Sequence, residues 1–429
     1  MSRKRNALVA LGGGPSPVIN ASLLGIIEGC GDWPDDIDTV YGAVHGIEGV
    51  LLENLIALSG QDRTQLQKLR YTPASGAIGT CRYKLQAGAE DDYRRVVEVA
   101  RAHNIGYFFY IGGNDSMDTA QKVSRLAHEM GIDLIVAGVP KTIDNDLGDE
   151  ARTMIDHTPG YGSTARYWAM LMKDLEEENR GMCVSEPVSV IQAMGRKSGF
   201  ITAASRLADP NRQMPLQLYF AETEQNIDSL YENVKRCVKE CGRCIVVVNE
   251  GFNAGDIGEE KDGFGHMEYG ANTAAAQLVA ETLNTRGLPV RGLATWQMPG
   301  VLQRCTSVFR SAVDVDEAYE VGRYAVGMAM REGTGYMATI LRDRDSSAYK
   351  AYFDKISLEI IADSVRYLPP EWIAEDGLDV TDDFISYAMP LIGRDMDEVR
   401  IVGGLQDFAV LDERRIDRKC PDYIPYNFR

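Results

Sequence analysis

Short apolar segments that end in glycines and then run into a helical pattern recur along this chain. The first, NALVALGGG from Asn6 to Gly14, leads into SPVINASLLGIIEGC, where we expect Ser16 to cap a helix and Pro17 to occupy its first position. Further apolar segments begin at Ile105, Asp133 and Pro187; the one from Arg243 ends in an acid, and the one from Gly335 adds another apolar run. Strands that alternate with helices predict right-handed crossovers, and therefore an α/β fold whose mostly parallel sheet is covered by helices on both faces.

Length and charge narrow the class of protein. The chain has 429 residues, enough for two or three domains, and its 45% apolar and 25% charged residues are typical of a globular protein. A net charge of −18 would repel nucleic acids and anionic membranes, so we expect neither as a partner. The apolar run after the basic start MSRKR is too short for a signal peptide or a membrane span, and eight scattered cysteines favour a reducing cytoplasm.

Three of the cysteines, Cys237, Cys241 and Cys244, stand close together in RCVKECGRC. Their spacing could hold a metal or an iron–sulfur cluster. We favour a helix that carries the first two one turn apart and a strand, CIVVVNE, that begins with the third, because no fourth ligand or nearby histidine completes a site.

The last part of the chain departs from the repeating pattern. Past about Tyr349 the segment ISLEIIADSVRYLPPEWI, residues 356–373, has the spacing of an amphipathic helix. An irregular, charged tail follows it. We therefore expect a C-terminal extension rather than another strand and helix unit.

Two glycine-rich turns follow predicted strands, at the edge of the sheet where ligands collect in such folds. LGGGPSPVIN, residues 11–20, resembles a turn whose backbone N–H groups bind a phosphate, although a tight turn alone would use the same glycines. GGNDS, residues 112–116, repeats the arrangement and adds oxygens at Asn114 and Asp115. These oxygens could ligate Mg²⁺ or position a phosphate, while Asp115 or Ser116 could instead cap the next helix.

The segment PKTIDND, residues 140–146, is more specific. Aspartate and asparagine form turns, but a turn does not require a lysine, a threonine and two aspartates together. A carboxylate beside a substrate hydroxyl can take its proton as the oxygen attacks phosphorus, a second acid can hold a sugar or Mg²⁺, and a lysine can neutralise the transferred group. These residue types together predict phosphoryl transfer to an alcohol.

Three later segments add charged residues after predicted strands. Arg196 in QAMGRKSG suits a bidentate phosphate contact, Glu250 in VNEGF can accept hydrogen bonds from sugar hydroxyls, and Arg304 lies in PGVLQR. Each could be a surface or capping residue by itself. Their shared position at strand ends favours a common site.

In this order the motifs resemble those of the phosphofructokinase family, in which G-G-x-x-S, P-x-T-I-D-N-D, M-G-R, an acid of the E-G type and L-Q-R or I-Q-R follow one another. Here they read GGNDS, PKTIDND, MGR, NEG and LQR, preceded by the glycine turn near Gly14 and by GTCR, residues 79–82. The resemblance implies two Rossmann-like three-layer domains with mostly parallel sheets and an active site in the cleft between them. By position, residues 1–156 with a return segment at about 305–350 would bind pyrophosphate and Mg²⁺, residues 157–304 would bind the sugar phosphate, and residues 351–429 would form a helical or irregular extension packed on both.

Within the family the chain looks like the pyrophosphate-dependent branch. ATP-dependent members carry glycine where this chain has Asp115 and glycine where it has Lys141. A carboxylate at position 115 would repel the α-phosphate of a nucleotide, while a lysine at position 141 could reach pyrophosphate. Both differences indicate the same donor.

The resemblance also assigns roles by position. Asp144 would be the general base toward the 1-hydroxyl of fructose 6-phosphate, and Lys141 and Arg196, together with Asp115, would complete the catalytic set. The residues expected against pyrophosphate are Gly14, Gly113, Asp115 and Lys141. The residues expected around the sugar phosphate are Thr142, Ile143, Asp144, Asp146, Met194, Gly195, Arg196, Glu250, Val301, Leu302, Gln303 and Arg304.

Three positions depart from the family pattern. Asn114 stands where most relatives have an aspartate associated with Mg²⁺, and we expect its amide oxygen to take that role directly or through water. Val301 stands where many relatives have a histidine, and Pro187 stands where they have an arginine that serves the neighbouring subunit. Arg291 could substitute for that arginine from its own loop.

The expected protein is a cytoplasmic homodimer or homotetramer that uses Mg²⁺. It would transfer phosphate reversibly from diphosphate to fructose 6-phosphate, giving fructose 1,6-bisphosphate in glycolysis or gluconeogenesis. The alternatives are an ATP-dependent phosphofructokinase, a kinase of another sugar phosphate such as sedoheptulose 7-phosphate, and a non-catalytic regulatory subunit of the same fold.

Overall fold

The structure, a computed structural model, describes residues 4–83, 85, 88–254, 259–261, 267–269, 274–362, 364–395 and 397–428. Its strands are β1 Arg5–Leu11, β2 Ile37–Ala43, β3 Leu55–Ala57, β4 Ile105–Gly112, β5 Ile135–Pro140, β6 Val188–Ala193, β7 Leu216–Tyr219, β8 Cys244–Asn249, β9 Glu259–Lys261, β10 Met267–Tyr269, β11 Ala294–Gln297, β12 Tyr336–Arg342, β13 Ala351–Ser357, β14 Ile401–Val402 and β15 Leu405–Gln406. Its α-helices are α1 Ile19–Gly31, α2 Gly46–Leu51, α3 Arg63–Lys68, α4 Glu90–Ala102, α5 Asn114–Glu129, α6 Tyr161–Met182, α7 Phe200–Ala204, α8 Ile227–Cys241, α9 Ala275–Arg286, α10 Ala312–Glu332, α11 Leu358–Ile361 and α12 Asp382–Ile392. Short 3₁₀ turns lie at Leu69–Tyr71, Ser205–Ala208, Gly300–Arg304, Pro370–Trp372 and Tyr426–Phe428.

The larger sheet has seven strands in the order β13-β12-β5-β4-β1-β2-β3. Its inner strands pair in parallel, while β3 and β13 join its two edges antiparallel. Alternate residues of β1 enter two separate cores, because side chains of a strand point to opposite faces. Ala7 and Val9 pack with α1 and α10 on one face, and Leu8 and Ala10 pack with α2, α4 and α5 on the other. The sheet is therefore the middle of three layers.

The smaller sheet has four parallel strands in the order β11-β6-β8-β7. Ile191 of β6 and Val247 of β8 face a core shared with α6, α7 and α12. Val190 and Val248 face the opposite core, which α8 and α9 cover. The predicted α/β class with mostly parallel, helix-covered sheets is thus confirmed.

Helix α1 begins later than the sequence predicted. Its first residue is Ile19 and its N-cap position is Val18, so the prediction that Ser16 caps the helix and Pro17 opens it is wrong. The Ser16 hydroxyl instead accepts a hydrogen bond from the Val18 N–H at 3.4 Å. This local side-chain bond closes a turn of its own and delays the helix by two residues.

The amphipathic helix predicted over residues 356–373 is also wrong. Strand β13 ends at Ser357, and α11 covers only Leu358–Ile361. Beyond it the backbone bonds to the loop after β5, with the Arg366 N–H donating to the Asp146 carbonyl at 2.8 Å. Tertiary hydrogen bonds here override the helical pattern. Strand β13 also carries the larger sheet past residue 350, whereas the division into domains stays a prediction.

The three clustered cysteines lie in the elements that the sequence predicted. Cys237 and Cys241 lie on α8 and Cys244 begins β8, as predicted. In the described ranges, histidine, cysteine, aspartate and glutamate side chains form no group of three or more suited to hold a metal. None of the described helices combines the length and the apolar character that crossing a membrane requires.

Candidate active site

The motifs of the sequence meet where the carboxyl ends of the two sheets face each other. The loop after β5 is tied to the end of β4, because the Lys141 N–H donates to the Gly112 carbonyl at 2.9 Å. It is tied to the smaller sheet as well, since the Ser198 hydroxyl donates to the Asp144 carbonyl at 3.3 Å. The candidate active site is built around this loop, residues 141–146, which we call the catalytic loop.

The glycine turn after β1 lies against three cations. Gly13 has φ +76°, and a Cβ added there would lie 3.1 Å from the Lys141 Nζ. A Cβ added to Gly14 would lie 2.8 Å from the Arg304 Nη1 and 4.0 Å from the Arg82 Nη2. Glycine therefore keeps the backbone close to these cations, as a binding site for an anion requires.

Gly113 joins the same corner. A Cβ added there would lie 3.5 Å from the Lys141 carbonyl oxygen. The predicted pyrophosphate residues Gly14, Gly113 and Lys141 are therefore brought together. Arg82 was not among them, although the GTCR motif that contains it stood in register with the family pattern.

Hydrogen bonds inside the catalytic loop orient its acids. The Thr142 hydroxyl accepts a hydrogen bond from the Asp144 N–H at 3.1 Å and donates to the Asp146 Oδ1 at 3.1 Å. Ile143, between them, is buried in the core beside α6. Its side chain thus anchors the loop in that core.

Asp144 is buried and close to Arg196. Its carboxylate lies 3.7 Å from the Arg196 guanidinium. Burial, with the neighbouring Asp146 as the second cause, raises the pKa of Asp144 to about 6. Its Oδ1 atom is buried and has no hydrogen-bond partner among the described residues. A carboxylate with a pKa near neutrality and a free lone pair is suited to accept a proton from a substrate.

Lys141 is buried beside the two acids of its own loop, with 5% of its surface exposed. Burial lowers the pKa of Lys141 to about 8, although Asp144 and Asp146 oppose the shift. Two further cations, Arg304 and Arg196, also lower it. Excess positive charge in a buried corner favours the binding of a polyanion.

Glu250 shapes the turn that carries Arg196. Its Oε1 accepts hydrogen bonds from the Gly195 N–H at 3.1 Å and the Arg196 N–H at 2.7 Å. Both residues have positive φ, +127° at Gly195 and +46° at Arg196. Burial, and next the charge of Asp144, raise the pKa of Glu250 to about 7. Glu250 therefore stabilises a strained turn besides any contact it makes with a sugar.

The segment 300–304 divides into buried and exposed residues. Gln303 is fully buried, and its Oε1 accepts from the Trp168 Nε1 at 2.9 Å and the Met194 N–H at 3.3 Å. Val301 and Leu302 are 55% and 59% exposed. Gln303 thus positions Met194, whereas Val301 and Leu302 turn away from the buried charges.

Arg304 continues this segment into the buried site. Its Nε is buried without a hydrogen-bond partner in the described chain. Burial, and then Arg82, lower the pKa of Arg304. Arg291 and Pro187 lie elsewhere, at the amino ends of β11 and β6, with the neighbouring Gly292 packed against Pro187. Arg291 therefore does not complete the site within this chain.

Asn114 and Asp115 occupy the first turn of α5. The N-cap position is Gly113, so the alternative that Asp115 or Ser116 caps the helix is wrong. The Asn114 side-chain N–H donates to the Ser364 carbonyl at 2.6 Å, while its Oδ1 is buried and unpartnered within the described residues. An orphaned amide oxygen beside a carboxylate fits a Mg²⁺ ion that takes its other ligands from phosphates and water.

Comparison with known proteins agrees with this geometry. A family model described as Phosphofructokinase matches residues 6–328. Pyrophosphate–fructose 6-phosphate 1-phosphotransferases of Halomonas elongata and Methylococcus capsulatus are each 37% identical to the chain; the first match covers 98% of this chain and 99% of the relative, and the second covers 97% and 98%. The crystal structure of pyrophosphate-dependent phosphofructokinase from Nitrosospira multiformis is 34% identical, with a TM-score of 0.87 over 98% of this chain and 100% of that one. The chain belongs to the phosphofructokinase family.

Membership of the phosphofructokinase family confirms the resemblance found in the motifs. The relatives named above are pyrophosphate-dependent enzymes, which agrees with the branch that Asp115 and Lys141 indicated. In this phosphofructokinase the predicted residues around Asp144 converge, whereas Val301 and Leu302 lie on its exposed surface. The roles assigned to individual residues remain predictions.

Proposed function

We propose that this phosphofructokinase transfers a phosphoryl group reversibly between diphosphate and the 1-hydroxyl of fructose 6-phosphate, giving fructose 1,6-bisphosphate and phosphate. The observation that carries the proposal is the buried Asp144, with a pKa of about 6, beside Lys141 and Arg196. A base with that pKa can accept the hydroxyl proton near neutral pH, and the cations stabilise the transferred charge.

In the forward direction Asp144 takes the proton of the 1-hydroxyl as its oxygen attacks the terminal phosphorus of diphosphate. The new oxygen–phosphorus bond forms while the bridging bond to the leaving phosphate breaks. Lys141 and Arg196 offset the negative charge on the moving phosphoryl group. In the reverse direction the protonated Asp144 returns the proton to the sugar oxygen.

Asp115 and Lys141 support diphosphate, rather than ATP, as the donor. Lys141 lies over the glycine turn, where its ammonium can contact diphosphate. Asp115 lies in the first turn of α5, and we assign its carboxylate to the position where a nucleotide would bring its α-phosphate. The relatives of this chain that are named for pyrophosphate dependence support the same choice.

The sugar phosphate is placed at the smaller sheet. We assign Met194, Gly195, Glu250 and Arg304 to its binding, together with Thr142 and Asp146 of the catalytic loop. The convergence of these residues around Asp144 supports the assignment. Residues 1–156 with the returning strands would form the diphosphate domain, and residues 157–304 the sugar domain.

We assign a Mg²⁺ ion to the side of the site formed by Asn114 and Asp115. Bound there, the ion would neutralise oxygens of diphosphate and hold it against the glycine turn. The orphaned Asn114 Oδ1 supports this placement.

We further propose a cytoplasmic homodimer or homotetramer. The resemblance to the family suggests subunit contacts near the site. Exposed apolar side chains in residues 293–302, the segment that precedes Arg304 in the chain, agree with such a contact; they are Leu293, Trp296, Met298, Val301 and Leu302. Light scattering on the purified protein would contradict the proposal if it gave the mass of one chain.

A coupled assay that offers diphosphate and ATP as separate donors, each with fructose 6-phosphate and Mg²⁺, tests the function. We expect turnover with diphosphate and at least tenfold less with ATP, since a charge conflict of about 1.4 kcal/mol gives that ratio. Activity with ATP alone would make the chain an ATP-dependent enzyme. Preference for sedoheptulose 7-phosphate would change the substrate, and sugar binding without turnover would indicate a regulatory subunit.

A further inference from the structure

A buried arginine outside the family motifs is hydrogen-bonded to the catalytic loop. Arg366, fully buried in the segment after α11, donates from its Nε to the Asn145 carbonyl at 2.8 Å and from its Nη2 to the Asn145 Oδ1 at 2.6 Å. Its Nη1 donates to the carbonyls of Ile155 and Asp156 at 2.7 and 3.0 Å. The planar fork of a guanidinium is suited to such simultaneous contacts.

Asn145, between the two aspartates of the loop, has a conformation that needs support. Its φ is +56°, in the left-handed region that non-glycine residues adopt at a cost. Every side-chain polar atom is engaged: the Oδ1 also accepts from the Thr158 N–H at 3.1 Å, and the Nδ2 donates to the Tyr387 hydroxyl at 2.9 Å. The chain reversal at Asn145 lets the Thr142 hydroxyl bond on both sides of it.

The same short segment touches other parts of the site. The Ser364 carbonyl accepts from the Asn114 amide, and its hydroxyl accepts from the Gly148 N–H at 3.0 Å. The Leu368 N–H donates to the Glu222 Oε1 at 3.0 Å, and this carboxylate also accepts from the Gly199 N–H at 2.7 Å. Residues 364–368 therefore connect α5, the catalytic loop and the turn after β6.

We propose that Arg366 is a positioning residue, which holds Asn145 in its left-handed conformation and thereby places Asp144 and Asp146 for the reaction. Arg366 is fully buried, so it acts through the residues to which it is hydrogen-bonded and not by touching a substrate. The inference rests on the proposed function, because the two aspartates matter only if they meet the substrate. It adds a contribution of the C-terminal extension to catalysis.

Arg366→Lys is the direct test, since it keeps the charge and removes the fork. We expect kcat with diphosphate and fructose 6-phosphate to fall about 100-fold, as for a catalytic group displaced by about 1 Å, with both KM values within about threefold of wild type. The matched control is Arg310→Lys. Arg310 is as deeply buried and donates to the Arg70 carbonyl and to Asp397, away from the catalytic loop. Arg310→Lys should keep kcat within about threefold of wild type.

Hydrogen–deuterium exchange separates this inference from the proposed function. In Arg366→Lys the backbone amides of residues 141–148 should exchange at least about tenfold faster than in wild type, and in Arg310→Lys they should not. This measurement reports whether Arg366 holds the loop even if wild type shows no turnover with these substrates. Absence of turnover in wild type would contradict the proposed function alone. Unchanged exchange in Arg366→Lys overturns the inference, and so does an equal loss of kcat in Arg310→Lys.

A pair of substitutions at Asn145 provides a second route if Arg366→Lys does not fold. Asn145→Gly and Asn145→Ala both remove the amide, but only glycine adopts positive φ without strain. We expect kcat to fall at least about tenfold further in the alanine variant than in the glycine variant. Equal kcat in the two variants would show that the left-handed conformation does not position the aspartates.

Discussion

Two buried ionic clusters differ in how burial and charged partners set their pKa values. The catalytic cluster consists of Lys141, Asp144, Arg196, Glu250 and Arg304. The histidine cluster consists of Asp156, His157, Glu317, Arg342 and Tyr349. In the catalytic cluster burial prevails: the pKa of Lys141 falls to about 8 and the pKa of Asp144 rises to about 6. The charged forms are therefore less stable there than in water.

In the histidine cluster the charged partners affect the pKa of His157 more than burial does. Burial alone would lower the pKa of His157, but Glu317 and Asp156 raise it to about 9. The two ring nitrogens lie 2.9 Å from the Asp156 Oδ2 and 2.7 Å from the Glu317 Oε2. The Arg342 guanidinium adds a contact to Asp156 at 3.1 Å. Each charge is thus paired, as buried charges must be to stabilise a fold.

The two clusters differ in which buried polar atoms lack a hydrogen-bond partner. Each cluster has one arginine Nε that is buried without a partner among the described residues, at Arg304 and at Arg342. The catalytic cluster also leaves a carboxylate oxygen, the Asp144 Oδ1, in that state, whereas the carboxylates of Asp156 and Glu317 contact the ring nitrogens of His157. Unpaired buried groups cost stability, and they persist where a substrate supplies the missing partner. We therefore expect the first cluster to bind and react, and the second to hold α10 and β12 beside the catalytic loop.

The largest expected effect is that of Asp144→Asn on turnover. Loss of the general base should lower kcat by about 10³-fold while fructose 6-phosphate binding stays measurable. Because the pKa of Asp144 is raised, its ionised form opposes folding at neutral pH, so the variant should unfold at the same temperature or higher. Steady-state kinetics and thermal unfolding check both points.

Asp92→Asn is the matched control for Asp144. Asp92 is a fully buried aspartate on α4, outside the catalytic loop, that accepts from the hydroxyls of Tyr83 and Tyr423. Its substitution should lower stability and leave kcat nearly unchanged. A kcat within tenfold of wild type in Asp144→Asn would remove Asp144 from the role of base.

His157→Gln should have the next largest effect, and on stability alone. It leaves the Asp156 and Glu317 carboxylates buried without their shared cation, which costs about 3 kcal/mol of unfolding free energy. Since the folded pKa of about 9 exceeds the ordinary value of 6.5, the contribution of His157 is complete below pH 6.5 and is lost as pH rises to 9. Denaturant unfolding of both proteins from pH 6 to 9 should show their difference shrinking.

His103→Gln is the comparison for His157. His103 is equally buried but meets one carboxylate, with its Nε2 2.6 Å from the Glu53 Oε1. Its loss should cost less than that of His157. An equal or larger cost, or a fall of kcat in His157→Gln, would contradict the division between the two clusters.

The sequence predicted the residues of the catalytic cluster better than the residues that hold them in position. Lys141, Asp144 and Arg196 each follow a strand in a short motif, and parallel strands bring such ends to one edge. Which face of residues 300–304 is buried could not be read, because Gln303 is fixed by the Trp168 side chain of another helix. Nothing in the sequence marked Arg366, which reaches Asn145 across 221 residues and lies where a helix was expected.

The catalytic cluster, unlike the histidine cluster, should also make kcat of the wild type depend on pH, with changes of about tenfold. The proposed mechanism needs Asp144 ionised and Lys141 protonated, so we expect kcat in the forward direction to fall about tenfold per pH unit below about 6 and above about 8. Lys141→Arg should abolish the alkaline fall, because arginine stays charged. A flat profile from pH 5 to 9, or an alkaline limb unchanged in Lys141→Arg, would separate these residues from the reaction.

The smallest expected effect is on donor choice, at the rim of the catalytic cluster. Asp115→Gly removes the carboxylate that we expect to repel a nucleotide, so kcat/KM with ATP should rise about fivefold, or about 1 kcal/mol, while stability changes little. The control is Asp118→Gly on the same helix, whose carboxylate pairs with Lys122 at 2.6 Å. Asp118→Gly also removes a carboxylate and introduces a glycine, but at a position that we do not expect to face the donor. If Asp118→Gly raised the ATP activity equally, or Asp115→Gly left it unchanged, another residue would enforce the exclusion of ATP, and Lys141 would be the next position to substitute.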